Sequence, residues 1–224
     1  PQQLYRYFKQ RFAQVTNPPI DPLRERMVMS LETIIGPRGS ILEEDEASAA
    51  VMRFHSPIVG ESEFAWIKTQ KHVPVVTVNA TFKTAKGPEG FEQALERLCY
   101  EAEMAVRDGA GVVIISDRAV DQDTAPIPML LATAAVHNKL LEVGLRTKTA
   151  MVLETAEPRE DHHYGCLISY GAGLIHPYLA LATARDVPST LKDAQGLTPE
   201  KSVKNYIKGV EKGLLKIMSK MGIA

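Results

Sequence analysis

The sequence predicts an α/β protein in which parallel βα repeats form an open or partial (β/α) barrel-like domain with a long C-terminal helix. Residues 112–115 form an uninterrupted β-branched run, typical of a strand covered on both faces of a parallel sheet. Amphipathic helical patterns flank this run at residues 91–107 and 127–143. Residues 199–221 carry one continuous apolar stripe, which predicts the long terminal helix.

The N-terminal region predicts two helices joined by a stiff elbow. Residues 4–14 place aromatic side chains at helical spacing, and residues 16–19 end that helix because they contain two consecutive prolines. Asp21 is a candidate N-cap with Pro22 at the first helical position, so a second helix is expected over residues 23–35.

The repeats become regular further along the chain. After a weak strand at residues 51–59 and a helix at residues 61–70, four strand patterns are each followed by a helical segment: 75–78, 112–115, 149–153 and 174–175. A closed (β/α)₈ barrel needs eight strands in roughly 250 residues, more than this sequence supplies. We therefore expect one domain over residues 1–185, a Pro/Ser/Gly-containing linker over 186–198, and a helix over 199–224.

Composition excludes several classes of function. The chain has 224 residues, 45% of them hydrophobic and 24% charged, which is ordinary for a globular domain with a sizeable core. A net charge of −1 gives no global attraction to nucleic acid or to an anionic membrane. Two cysteines make no disulfide framework, and neither a long apolar run nor a leader pattern is present. We expect a cytoplasmic protein, in the bacterial cytosol or an equivalent reducing compartment.

Polar residues follow the predicted strands at Asn79, Thr81, Asp117, Arg118, Glu154 and His176. In parallel α/β folds, ligands bind at the carboxyl ends of the strands, so these side chains are expected to share one rim. One interpretation is that they terminate strands and bond to loop backbone. The alternative is an independent enzyme that binds a small anionic metabolite at Asn79, Asp117, Arg118 and Glu154.

Other candidate sites are weaker. His162 and Cys166 lie one helical turn apart and are both good zinc ligands, but two ligands do not make a site, so we predict no metal. The glycine patterns of phosphate-binding loops are absent. Lysines at every fourth position of the last helix predict a solvated face or a dock for an acidic partner: Lys204, Lys208, Lys212, Lys216 and Lys220.

Long blocks in the same order resemble the central domain of the glutamate synthase large subunit. They cover nearly the whole chain: residues 12–25 and 29–33, Gly36-Pro37, Ser116-Asp117-Arg118, residues 125–131, Ala135-Val136-His137, Glu154 with His162-His163, Tyr170-Gly171-Ala172, and residues 177–180, 204–208 and 213–222. The blocks are too long and too specific to be products of composition.

The resemblance implies a connecting role. In that family, an amidotransferase domain releases ammonia from glutamine, and an FMN-binding domain with an iron-sulfur cluster uses that ammonia and 2-oxoglutarate to form glutamate. This segment would join the two domains in the same parent chain, with no cofactor and no catalytic residue of its own. Its last helix would lead toward the FMN-binding domain.

The resemblance also implies that Thr16 and Asn17 line a tunnel for ammonia, because family tunnels pass the matching elbow. An elbow that merely joins two helices is the alternative. At the rim, His176 departs from the asparagine expected in many relatives, and residues 83–86 are unusually basic.

Both ends of the chain look excised, since it starts at Pro1 and stops directly after a helix. We expect a segment that is inactive alone and that self-associates through surfaces its neighbours normally cover. A separately encoded interaction module, recruited through the lysine-rich face, is a further alternative.

Overall fold

The computed structural model describes residues 2–9, 29–38, 50–194 and 196–222. Eight strands lie in this part of the chain: β1 (Thr33–Ile35), β2 (Met52–Phe54), β3 (Val75–Asn79), β4 (Thr81–Lys83), β5 (Val112–Ser116), β6 (Thr124–Pro126), β7 (Ala150–Glu154) and β8 (Leu174–His176). The described α-helices are α1 (Glu61–Lys68), α2 (Gly87–Arg107), α3 (Met129–Glu142), α4 (Asp161–Ser169), α5 (Tyr178–Thr190) and α6 (Pro199–Met221).

A four-stranded parallel sheet in the order β3-β5-β7-β8 organises the molecule. Each strand therefore pairs with the next strand of the sheet along the chain, and every crossover carries a helix. The predicted α/β class, the parallel βα repeats and the long C-terminal helix are confirmed.

The crossover helices all cover one face of this sheet. Strand residues on that face pack in one core with buried residues of α2, α3 and α4: Val113, Ile115, Met151, Leu153 and Ile175. In a doubly wound sheet, helices would cover both faces because the strand order reverses. Sequential strand order with helices on one face is instead the arrangement found within (β/α) barrels.

Short elements cover the opposite face. Helix α1 and the antiparallel β1–β2 pair contribute Ile35, Phe54 and Ile67 to a second core. The strand side chains in that core are Val112, Ile114, Val152 and Leu174. Because both faces are covered, the middle strands consist almost entirely of buried apolar residues, as the β-branched run at 112–115 predicts.

The N-terminal predictions are corrected where the structure describes them. Leu4–Tyr7 is a single 3₁₀ turn, and Phe8 is already extended, so the described part of the expected 4–14 helix is short. Thr33–Ile35 is a strand rather than the end of a 23–35 helix. Its consecutive β-branched residues favour a strand, and pairing with Met52–Phe54 supplies the partner that a helical pattern does not reveal.

The expected linker over residues 186–198 begins inside a helix. Helix α5 runs to Thr190 and includes Pro188 in its last turns. Helix α6 then packs against α4 and α5, and the Tyr164 and Tyr206 hydroxyls lie 2.7 Å apart across its contact with α4. The division of the chain at this segment stays a prediction.

Candidate functional site

The carboxyl ends of the four parallel strands form one row. The register places Asn79 beside Ser116, Ser116 beside Glu154, and Glu154 beside His176. The sheet thus brings together the polar strand ends that the sequence singled out. Their partners differ along the row.

Glu154 is engaged by residues that the sequence did not predict. Its Oε2 accepts a hydrogen bond from Ser116 Oγ at 2.7 Å and lies 3.4 Å from Lys68 Nζ, which reaches over from α1. Only 7% of Glu154 is exposed. This carboxylate therefore ties two neighbouring strands to the helix on the second face of the sheet.

Asp117 fixes the loop after the next strand. Its carboxylate accepts hydrogen bonds from Thr155 Oγ1 at 2.6 Å, from the Ala156 N–H at 3.1 Å and from the Tyr178 hydroxyl at 2.8 Å. Burial raises the pKa of the Asp117 carboxyl, while these hydrogen bonds partly offset the rise. The donors lie in two βα units, those of β7 and β8, so Asp117 links these units to the loop after β5.

Arg118 and His176 are also held by aromatic rings. The Arg118 guanidinium lies 4.2 Å from the centroid of the Tyr178 ring. His176 stacks on Phe64 with centroids 4.4 Å apart, and its ring nitrogens face the Val59 carbonyl and a Glu61 carboxylate oxygen. Burial lowers the pKa of His176, which favours the neutral imidazole.

Asn79 opens onto a different cleft from Arg118. Its Oδ1 accepts a hydrogen bond from Thr81 Oγ1, and it lines a polar cleft of about 500 Å³ with Lys83 and Arg97. Arg118 instead lines a cleft of about 400 Å³. These two clefts thus separate Asn79 from Arg118, and neither is lined by Asp117 or Glu154, the other two side chains of the metabolite-binding alternative.

The remaining predicted sites are placed as follows. His162 Nε2 lies 3.7 Å from Cys166 Sγ and 3.2 Å from the Tyr5 carbonyl oxygen. In the described ranges no group of three or more potential metal-ligating His, Cys, Asp or Glu side chains occurs. Thr16 and Asn17 lie outside the described residues. The five lysines of the ladder on α6 are all exposed.

The chain cannot supply the thiolates of an iron-sulfur cluster by itself. Such clusters take about four cysteine ligands, and the sequence has two cysteines. Cys99 lies on α2 and Cys166 on α4, both as free thiols. A cluster in a longer protein would need at least two of its ligands from outside this chain.

Sequence reasoning missed the docking of the N-terminal segment. The Tyr5 ring stacks on His163 at 4.4 Å, and its hydroxyl donates to Glu157 at 3.0 Å. Glu157 also accepts the Met129 N–H at the start of α3. Burial raises the pKa of Glu157, partly offset by those two donors. An aromatic at position 5 was visible in the sequence, but its partners lie more than 120 residues away.

Among the described residues, no helix has the length and apolar character required to span a membrane.

Comparison with known proteins identifies the chain's relatives. The family model described as glutamate synthase central domain matches residues 1–224. The ferredoxin-dependent glutamate synthase of Pyropia yezoensis is 43% identical over 231 residues, covering 99% of this chain and 15% of that protein. The glutamate synthase [NADH] of Schizosaccharomyces pombe is 40% identical over 228 residues, covering 100% of this chain and 11% of that protein.

A bacterial relative gives the same result. The glutamate synthase [NADPH] large chain of Azospirillum brasilense is 43% identical over 222 residues, covering 99% of this chain and 14% of that protein. The chain thus spans only 11% to 15% of the length of these relatives. The resemblance drawn from the sequence blocks is confirmed, and the chain belongs to the glutamate synthase central domain family.

Proposed function

We propose that this chain is the structural, connecting segment of a glutamate synthase that converts glutamine and 2-oxoglutarate to two glutamates. The parent would be an oxidoreductase of glutamate biosynthesis and nitrogen assimilation. Amidotransferase and FMN-binding domains of the same parent chain would be its partners. Free thiols at Cys99 and Cys166 fit a reducing compartment such as the bacterial cytosol.

The structural role in this proposal is supported by the hydrogen bonds that the polar side chains of the rim make to one another. Asp117 and Glu154 are the buried carboxylates at the strand ends, and both are occupied by donors from neighbouring βα units. Carboxylates used in this way stabilise the relative positions of strands and loops. A rigid α/β body between two reaction centres would keep those centres in register.

FMN and the iron-sulfur cluster would belong to the parent's other domains. When bound there, they would supply the electrons that reduce the imine formed from 2-oxoglutarate and ammonia. The role of this segment would be positional, and it would contribute no catalytic residue and bind no cofactor.

The same proposal gives the elbow at residues 16–19 a role in an ammonia passage between the two sites. Two consecutive prolines restrict the backbone there. A restricted backbone could hold Thr16 and Asn17 toward a narrow passage without rearrangement.

Enlarging Thr16 in the full-length enzyme tests this role. In the Thr16→Trp variant we expect glutamine-dependent glutamate formation to fall by about tenfold or more, because a bulky indole blocks a passage of molecular width. Glutaminase activity and synthesis from added ammonium should be retained, and ammonia should accumulate in solution. Coupled assays of glutamate, glutamine and free ammonia measure all four quantities.

The matched control is Thr190→Trp, since Thr190 is exposed at the end of α5. It should leave the ratio of glutamine-dependent glutamate formation to glutaminase activity, which measures their coupling, unchanged. Equal loss of glutamine-dependent and ammonium-dependent synthesis in Thr16→Trp, or unchanged coupling, would count against the passage.

One observation favours the second candidate, an independent partial-barrel enzyme for a small anionic metabolite. The cleft beside Asn79 is lined by the cations Lys83, Lys86 and Arg97. The candidate stays second because Asp117 and Glu154, its proposed functional carboxylates, are already paired within the rim. Turnover of a small anion by the purified chain would reverse that order.

A further inference from the structure

A cavity of about 640 Å³ lies between the loop after β7, helix α5 and helix α6. Its volume falls within the range of about 300–1,000 Å³ that is common for small-molecule sites. Apolar walls are formed by side chains such as Leu179, Ala184 and Val187. The cavity shares no lining residue with the cleft at Asn79, and it adjoins the cleft at Arg118 through Leu179.

A buried hydroxyl at this cavity has no partner. Ser202 is 7% exposed and lines the cavity. Its backbone N–H bonds to the Thr198 carbonyl, but its side-chain oxygen has no hydrogen-bond partner among the described residues. Buried polar groups in folded proteins are nearly always paired, so this hydroxyl is available to bond a polar atom that occupies the cavity.

One charged side chain lines the cavity, and it is a cation. Arg159 is exposed, and its guanidinium has no ion pair within the described ranges. Leu179 and Ala180 line the same cavity from the first turn of α5, where backbone N–H groups lack intrahelical acceptors. The positive end of the helix dipole therefore adds to the guanidinium charge.

We propose that this cavity binds a small carboxylate with an apolar body. The carboxylate pairs with Arg159 near the start of α5, and the body packs on Leu179 and Val187. Ser202 hydrogen-bonds a polar atom of the ligand. A bare anion would leave the apolar walls in water, and a neutral apolar compound would leave Arg159 and Ser202 without partners. The inference is independent of the ammonia passage.

Three compounds separate the contribution of the carboxylate from that of the apolar body: hexanoate, acetate and hexanol. Each is titrated into the full-length protein and followed by calorimetry and ligand-observed NMR. We expect hexanoate to bind with a Kd of about 1 mM, as its size allows. Acetate lacks the apolar body and hexanol lacks the charge, so each should bind at least about tenfold more weakly.

Three variants locate the binding. Arg159→Gln should weaken the binding of hexanoate by about tenfold and leave the binding of hexanol unaffected. Ser202→Ala should weaken the binding of hexanoate by about threefold. The matched control is Arg185→Gln, because Arg185 lies on the same helix α5 but lines a different cleft. Thermal melting checks that each variant remains folded.

Three results would overturn the proposal. Hexanoate affinity unchanged in Arg159→Gln would place the binding elsewhere. An equal loss in Arg185→Gln would mean only a general charge effect. If none of the three compounds binds, the cavity in the full-length protein is filled by polypeptide, and it is not a small-molecule site.

Discussion

The carboxyl ends and the amino ends of the parallel strands are stabilised by opposite chemistry. We call these two sides of the sheet the carboxyl edge and the amino edge. At the carboxyl edge, buried Asp117 and Glu154 accept hydrogen bonds, and burial lowers the pKa of His176. At the amino edge, one guanidinium donates instead. Arg146 gives its Nε–H to His137 at 3.0 Å and its Nη groups to the Thr149 and Gly171 carbonyls, each at 2.9 Å.

Arg146 spans three βα units with a single side chain. His137 lies on α3, Thr149 immediately precedes β7, and Gly171 lies shortly before β8. Gly171 has φ +106°, and a Cβ there would overlap the His137 ring, so only glycine allows this close approach. The amino edge therefore depends on a fixed geometry around a charge that cannot titrate.

The difference teaches how each edge responds to its surroundings. Burial penalises the charged form of Asp117 and His176, so the pKa of the carboxyl rises and the pKa of the imidazole falls. The carboxyl edge is thus sensitive to pH. At the amino edge Arg146 keeps its charge, although burial and the Arg146 charge also lower the pKa of its partner His137.

Arg146→Ala should have the largest effect. It removes three hydrogen bonds made by a partly buried charge and leaves two carbonyls without a donor, so we expect the free energy of unfolding to fall by about 3 kcal/mol. Urea denaturation at pH 7 measures this. Arg107→Ala, which breaks an exposed ion pair with Glu103, is the matched control and should change little. A similar loss in both variants would contradict the role of Arg146.

Asp117→Ala should cost less, about 2 kcal/mol, at the carboxyl edge. Three donors lose their acceptor, but the desolvation cost of the buried carboxylate also disappears, which offsets part of the loss. The same urea experiment applies, with exposed Asp123→Ala as the control. If Asp117→Ala proved stabilising, burial of the charge would outweigh the hydrogen bonds and the rim would be strained rather than stabilising.

His176→Gln should have the smallest effect on stability. The effect should be visible only as a change in how the free energy of unfolding depends on pH. A lowered pKa means that stability from neutral His176 is present above the unfolded-state pKa of about 6.5 and is lost as pH falls toward the folded-state pKa. Between pH 7.5 and 5.5 the unmodified protein should lose about 1 kcal/mol more than the variant. Melting curves across that range test this, and exposed His55→Gln should not alter the slope. Identical slopes for all three proteins would rule out the assignment.

The sequence predicted the elements of the sheet well because the strands are buried on both faces. Residues 112–115 could not be amphipathic, and their apolar run identified β5 within a residue of its bounds. The strand-end positions of Asp117, Glu154 and His176 followed from the same pattern. Thr33–Ile35 was misassigned, since three residues are too few to show a period and their partner strand lies elsewhere in the sequence.

The partners of the site residues were not predictable. Tyr178 reaches Asp117 across 61 positions, and Lys68 reaches Glu154 across 86. Nothing in local spacing favours these pairs over other tyrosines and lysines. The cavity beside Ser202 was missed for the same reason, since it exists only where the loop after β7 meets two later helices.

The sequence by itself determined the α/β class, the parallel repeats, the long final helix and the family, because hydrophobic periodicity and long collinear blocks are local properties of the chain. Only the tertiary structure decided which polar groups are paired, which face each helix covers and where the cavities lie. Those features depend on contacts between residues distant in sequence, and burial then sets the pKa of each group.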